Sequence, residues 1–104
     1  MNINIKATKT TLTPSMKVFI EDKLTSLEKF LKEEDKLKVE IELDKKHHTG
    51  LIFRAEIDIQ PKGIYAEARG EDFYSAMDMV VPKIKEQLVK AKDKRVSKLR
   101  RARR

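Results

Sequence analysis

Between Lys83 and Arg104 the chain carries eleven lysines and arginines against two acids, Glu86 and Asp93, a local charge of +9. The other 82 residues hold thirteen bases and fifteen acids, a balance of −2, so all of the net positive charge belongs to this one stretch. The chemistry open to such a set is electrostatic. Ammonium and guanidinium groups neutralise phosphates, release counterions and position a polyanion without reading its sequence. Lys83, Lys90 and Lys94 recur at steps of seven and four on one side of a helix, with Lys85, Lys92, Arg95, Lys98 and Arg100 flanking them. A solvated, charge-rich helix face is the bland reading of any lysine run. A one-sided excess of this size favours an anionic partner, nucleic acid before membrane.

Other chemistries find little support. His47 and His48 with Asp44 could be imagined as metal ligands, but adjacent residues at a strand end point apart and no third ligand is evident. Exposed histidines in a turn are the better reading, and no metal or cofactor is expected. Glu40, Glu42, Glu56 and Asp58 invite a paired-carboxylate hydrolase, yet they share an open sheet face with Lys38 and Arg54, which favours cross-strand ion pairs. With no cysteine there is no thiol nucleophile, disulfide or thiolate zinc site. No phosphate loop and no histidine near a plausible serine is present, so neither an enzyme nor a small-molecule substrate is expected. Tyr74 could stack on a base, but packing with a half-buried ring and a wet hydroxyl is commoner.

The elements that position these residues follow from apolar periodicity. Ile3, Ile5 and Ala7 alternate with polar residues and predict a short half-buried strand. Thr13-Pro14 supplies a capping hydroxyl and a proline at the first helical position, and Met16, Phe19, Ile20, Leu24, Leu27 and Leu31 make the stripe of a first helix. The cluster from Lys32 to Lys36 ends it. Leu37, Val39, Ile41 and Leu43, then Phe53, Ala55, Ile57 and Ile59, then Ile64, Ala66 and Ala68 alternate with charged residues and predict three strands with one wet face. Lys45 to Gly50 form a loop. Gln60-Pro61-Lys62-Gly63 predicts a tight hairpin in which glycine takes the left-handed position.

Asp72 then caps a helix whose stripe is Phe73, Met77, Val80, Val81, Ile84, Leu88 and Ala91. Pro82 removes the bond to the carbonyl of Asp78 and should kink this helix at a cost of about 3 kcal/mol in an unadapted site. The stripe continues in phase beyond it, so one kinked helix is preferred to two.

The order strand, helix, three strands, helix gives an α+β fold, βαβββα. It has a four-stranded mixed sheet: strand one lies parallel to a neighbour, expected to be strand two, and strands two to four form an antiparallel meander. Both helices must cover the single apolar face. At 104 residues the chain is expected to be a single domain, residues 1–104, with a basic tail from about residue 94 that is prone to fray. No apolar run approaches the roughly 20 residues that span a bilayer. The alternating Met1–Leu12 segment lacks the apolar block of a signal peptide, so a cytoplasmic location is expected. The wet sheet face offers Tyr65 as its one aromatic among six acids, Glu40, Glu42, Asp44, Glu56, Asp58 and Glu67. A base-stacking platform of the RNA-recognition-motif kind is therefore disfavoured, and any nucleic acid is sent to the helices. The rival readings are a protein-binding regulatory module using the acidic face, a general basic RNA-binding protein, a membrane-surface protein and a nuclease.

Gly70, Asp72, Tyr74, Ala76 and Asp78, followed by Lys83, Gln87, Leu88 and Lys90, resemble the C-terminal signature of the ribosome-hibernation factor family. That family takes in the hibernation-promoting factor, the ribosome-associated inhibitor and the sigma-modulation proteins. Thr13, Leu24, Leu27, Glu28 and Lys29 are similar to its first helix, and His48-Thr49 sits where relatives carry similar residues. The resemblance covers essentially the whole chain. It implies a fold akin to double-stranded-RNA-binding domains and binding to small-subunit rRNA in the channel between head and body, over the sites of mRNA and of A- and P-site tRNA. It further implies a block of translation and, in many members, pairing of inactive ribosomes. Carried over by position, Lys17, Lys23 and Lys29 of the first helix and Lys83, Lys90 and Lys94 of the second would grip rRNA, with Lys85, Lys92 and Arg95 beside them. Ser26 and Glu86 stand where relatives have a basic residue, and Pro82 is unusual. Long members add a C-terminal dimerisation domain. The chain is expected to be either a short form or the N-terminal domain of a long one, with ribosomal proteins or a second hibernation factor as further partners.

Overall fold

The protein is described by a computed structural model that covers the backbone of residues 2–44 and 52–102, with side chains as far as Lys92. Strand β1 is Asn2–Thr8, helix α1 is Pro14–Thr25, and a single 3-10 turn spans Glu28–Phe30. Strands β2 (Lys36–Asp44), β3 (Ile52–Gln60) and β4 (Ile64–Gly70) follow, and helix α2 runs over Phe73–Ala102. The sheet order is β1-β2-β3-β4, with β1 parallel to β2 and the other pairs antiparallel. This is the expected βαβββα arrangement, and strand one does pair with strand two. His47 and His48 lie outside the described residues.

Period-two alternation fixes the register. Ile5 faces Val39, Val39 faces Ile57 and Ile57 faces Ala66, so one row of apolar side chains crosses the whole sheet. Against it pack Ile20, Leu24 and Leu27 from the first helical segment and Phe73, Met77, Val80, Ile84 and Leu88 from α2, all buried in one cluster. Both helices therefore cover the same face, and the opposite face is left to charged residues.

The helix starts match expectation. Thr13 Oγ1 accepts from the amide of Met16 at 3.2 Å, and Asp72 Oδ1 accepts from that of Ser75 at 2.8 Å. Gly70 is required for a packing reason: a Cβ there would stand 2.6 Å from the backbone nitrogen of Ala76, so only glycine lets β4 run this close to the first turn of α2.

The end of the first helix differs from expectation. The apolar stripe predicts one helix to Leu31, but α1 stops at Thr25 and Leu31 is already extended. The cause is a pair of neighbouring hydroxyls. Thr25 donates to the carbonyl of Glu21 and Ser26 to that of Lys23, both at 2.8 Å, and the backbone tightens to a Leu27-to-Leu24 bond of 2.9 Å. Leu27 stays fully buried through this change of pitch. Instead of ending a helix, the Lys32–Lys36 cluster is a turn over Lys32–Asp35 followed by the first residue of β2. Asp35, buried to 3% exposure, accepts from the amide of Lys32 at 2.7 Å and pairs with Lys62 Nζ at 3.3 Å.

Helix α2 is one unbroken helix through Pro82. Val81 faces the core while Pro82 is exposed, so the missing amide falls on the wet side of the helix, where water can serve the orphan carbonyl. In the β3–β4 hairpin Gly63 has φ +68°, as expected, and the peptide between Gln60 and Pro61 is cis.

Candidate nucleic-acid interface

The two faces of the molecule treat charge differently. On the outer sheet face, Lys6, Glu40, Glu56 and Glu67 form one cross-strand row and Thr8, Glu42, Arg54 and Arg69 the next. Like charges directly opposite one another destabilise a sheet. Arg54 offsets this: its guanidinium donates to Glu40 at 2.7 Å and to Glu56, and lies 3.6 Å from Glu42 and 3.3 Å from Glu67. With its side chain only 15% exposed, Arg54 is held still more firmly in the charged form than usual, chiefly by the hydrogen bond to Glu56. Arg69 pairs with Asp44 at 3.2 Å, and the Tyr65 hydroxyl donates to Glu67 at 3.2 Å. The cross-strand ion pairing read from the alternation is thus present. The face is acidic and internally partnered.

The helical face carries the cations named from the sequence. Lys17 is exposed on α1 with no ion pair among the described residues. Lys23 joins the helices by pairing with Asp78 at 3.1 Å, its ammonium 5.4 Å from the centre of the Phe19 ring. Lys29 belongs to the 3-10 turn and not to α1, because the helix ends early. Lys90 pairs with Glu86 at 2.9 Å, one turn back along α2. Lys94 and Arg95 lie within α2, with side chains outside the described ones.

Lys83 is placed differently from the others. Its ammonium donates to the main-chain carbonyl of Glu67 at 3.1 Å, and Gln87 one turn further on donates to that of Tyr65 at 2.7 Å. Both acceptors are on β4, the last strand of the sheet. Lys85 and Lys92, seven residues apart, line the two grooves that α2 makes with its neighbours. Lys85 shares a groove of about 490 Å³ with Lys23, Ser26 and Pro82 and with the acids Asp22 and Asp78, between the helices. Lys92 shares one of about 260 Å³ with Lys29, Lys32 and Lys62. The cations therefore flank α2 on two sides instead of forming a single line. The exposed pairs Lys23–Asp78 and Lys90–Glu86 are worth little in water and can be exchanged for phosphate.

Sequence reasoning missed Lys32 and Lys62 as neighbours of Lys29 and Lys92. Lys62 sits on a hairpin turn and reaches the helical face only through its bond to buried Asp35, a long-range contact with no local signal. Tyr74 is 47% exposed and meets Phe19 and Phe73 edge-on, with ring centres 4.8 and 5.1 Å apart, the packing role weighed for it. Among the described residues no group of three or more histidines, cysteines or acids is placed to hold a metal ion. No helix of the described residues is long and apolar enough to cross a membrane.

The βαβββα sheet, with both helices on one side, thus presents most of the lysines singled out from the sequence on its helical segments. A family profile described as Sigma 54 modulation protein / S30EA ribosomal protein matches residues 3–96, and the chain belongs to that family. Its relatives include the ribosome hibernation promoting factor of Klebsiella oxytoca, 31% identical over 94 residues that cover 90% of this chain and 96% of the relative. The factor of the same name from Escherichia coli (strain K12) is 30% identical with the same coverage. Among solved structures, a ribosomal subunit interface protein from Coxiella burnetii superposes with a TM-score of 0.70 at 21% identity, over 89% of this chain and 99% of that one. The N-terminal domain of Thermus thermophilus Protein Y gives 0.62 at 20% identity, over 85% and 96%. These two likenesses concern the fold.

Proposed function

We propose that this protein is a ribosome hibernation factor that acts by occupancy. Its helical face docks on rRNA of the small subunit in the decoding channel, where it excludes mRNA and the tRNAs of the A and P sites. No bond is made or broken, no cofactor is used, and the protein works in the cytoplasm as one ribosome-binding domain. Support comes from family membership and from relatives named as ribosome hibernation promoting factors. The observation that carries the reading is the two-sided charge. Acids on the outer sheet face are gathered around Arg54, while Lys17, Lys29, Lys85 and Lys92 on the helical face have no ion pair among the described residues. Phosphate is repelled by one side and attracted by the other.

Co-sedimentation with purified small subunits across a salt series tests this. If about six lysines each neutralise a phosphate, the logarithm of affinity falls with the logarithm of salt at a slope of roughly −4 to −5. A slope near zero rejects docking by charge. Binding that survives both high salt and nuclease would assign a protein partner instead. Prior saturation of the subunit with mRNA and tRNA should reduce binding, and unchanged binding would place the protein elsewhere on the subunit. Addition of ribosomal proteins or a second hibernation factor to the same gradients reads out ribosome pairing.

A further inference from the structure

The groove between the 3-10 turn, the β3–β4 turn and α2 has a composition that phosphate contacts alone do not require. Its floor is apolar, with Phe30 and Leu88, and its rim is four lysines, Lys29, Lys32, Lys62 and Lys92. The ammonium groups of Lys29 and Lys92 stand 5.3 and 5.9 Å from the centre of the same Phe30 ring. The ring attracts both, and together they make the surroundings of Phe30 strongly positive. Neither is ion-paired among the described residues, whereas Lys62 is tied to Asp35 at 3.3 Å. An anion is attracted by both ammonium groups, and the Phe30 ring offers a flat aromatic group a surface to stack on.

A nucleotide carries both features, and we infer that this groove receives one unpaired nucleotide of an RNA strand, its base against Phe30 and its flanking phosphates on Lys29 and Lys92. Two separate cations suit the phosphates on either side of a base, which a strand has and a free mononucleotide lacks. The volume of about 260 Å³ is below the ~300–1,000 Å³ of pockets that enclose a whole small molecule, so it suits a base whose backbone stays outside. A base inside a duplex cannot reach the ring, so the groove selects unstacked RNA. This rests on the RNA-binding reading above and adds to it a contact that depends on a base.

The chain contains no tryptophan, so Phe30→Trp places a single fluorophore in the groove. A short oligoadenylate should quench its emission saturably. A blunt RNA duplex with the same number of phosphates should bind, as read by anisotropy of a labelled strand, without quenching. AMP at the same nucleotide concentration should leave the emission unchanged. Equal quenching by the duplex, or no quenching by the single strand, overturns the inference. Saturable quenching by AMP overturns the strand assignment in favour of a free-nucleotide pocket. Phe30→Leu keeps the groove apolar and should weaken oligoadenylate binding about fivefold or more while duplex binding is unchanged. An equal effect on both, or none on either, also counts against it. Small-subunit sedimentation of the wild-type chain separates the two readings. If it pellets while the Phe30 results fail, only the groove assignment falls; if it does not pellet while quenching holds, the ribosomal reading falls.

Discussion

The outer sheet face and the helical face both carry many charged side chains and put them to opposite use. On the sheet, Arg54 is enclosed by Glu40, Glu42, Glu56 and Glu67, so its charge is answered within the fold. On the helices, Lys17 and Lys85 project without an ion pair among the described residues, and Lys90 has only an exposed partner one turn away. Charge enclosed by counter-charges cannot be removed without leaving its partners unanswered, and charge left in water is available to a ligand. Substitutions on the first face should therefore be felt in stability and on the second in binding.

The largest effect should come from the helices. Reversing Lys17, Lys85 and Lys90 together to glutamate removes three phosphate contacts and adds repulsion. Affinity for small subunits should fall by about 100-fold or more at low salt, with the urea midpoint nearly unchanged. Loss of stability in place of binding would show that the two faces are not separate. On the sheet, Arg54→Met leaves the glutamates facing one another and should cost about 2 kcal/mol at neutral pH in urea denaturation, with subunit binding retained. Acidification into the range where carboxylates take up protons removes the repulsion, so the deficit should narrow as pH falls.

Gly70→Ala tests the junction between the two layers. A Cβ 2.6 Å from the nitrogen of Ala76 forces β4 and α2 apart, an overpacking cost of about 1–3 kcal/mol that thermal denaturation would register. Thr13→Ala should cost about 1 kcal/mol by loss of the bond to the amide of Met16. The smallest effect concerns Asp72, whose carboxyl is held below the usual range, first by the backbone hydrogen bond from Ser75. A depressed folded-state pKa adds stability above the ordinary carboxylate pKa and loses it as pH falls through the lowered value. The wild-type urea midpoint should therefore drop more between neutral pH and about pH 2 than that of Asp72→Asn. Equal drops would deny the cap any electrostatic part.

Much of this architecture could be read from local pattern. The alternation of Leu37 to Leu43 and of Phe53 to Ile59 states which face is wet, and that in turn places both helices on the other side. Asp72 and Thr13-Pro14 mark helix starts because a cap is a local interaction. The end of α1 was not legible, since the leucine stripe continues through Leu27 while the hydroxyls of Thr25 and Ser26 redirect the backbone beneath it. Nor could spacing along α2 reveal that Lys83 turns to β4 or that Lys92 meets Phe30, because both depend on where another element lies. The lysines could be chosen by type; their division between two flanks of α2 needed three dimensions.

The bonds from Lys83 and Gln87 to the carbonyls of Glu67 and Tyr65 have a consequence for how copies of this chain can associate. An open sheet ends in rows of peptide groups that can template another strand, and a sheet that can grow at both ends can polymerise. The side chains of α2 occupy two of the outward carbonyls of β4, so a strand adding on that side would have to displace both, whereas β1 carries no such cover among the described residues. Edge-to-edge pairing is therefore favoured at β1 over β4, and such one-sided growth ends at a pair.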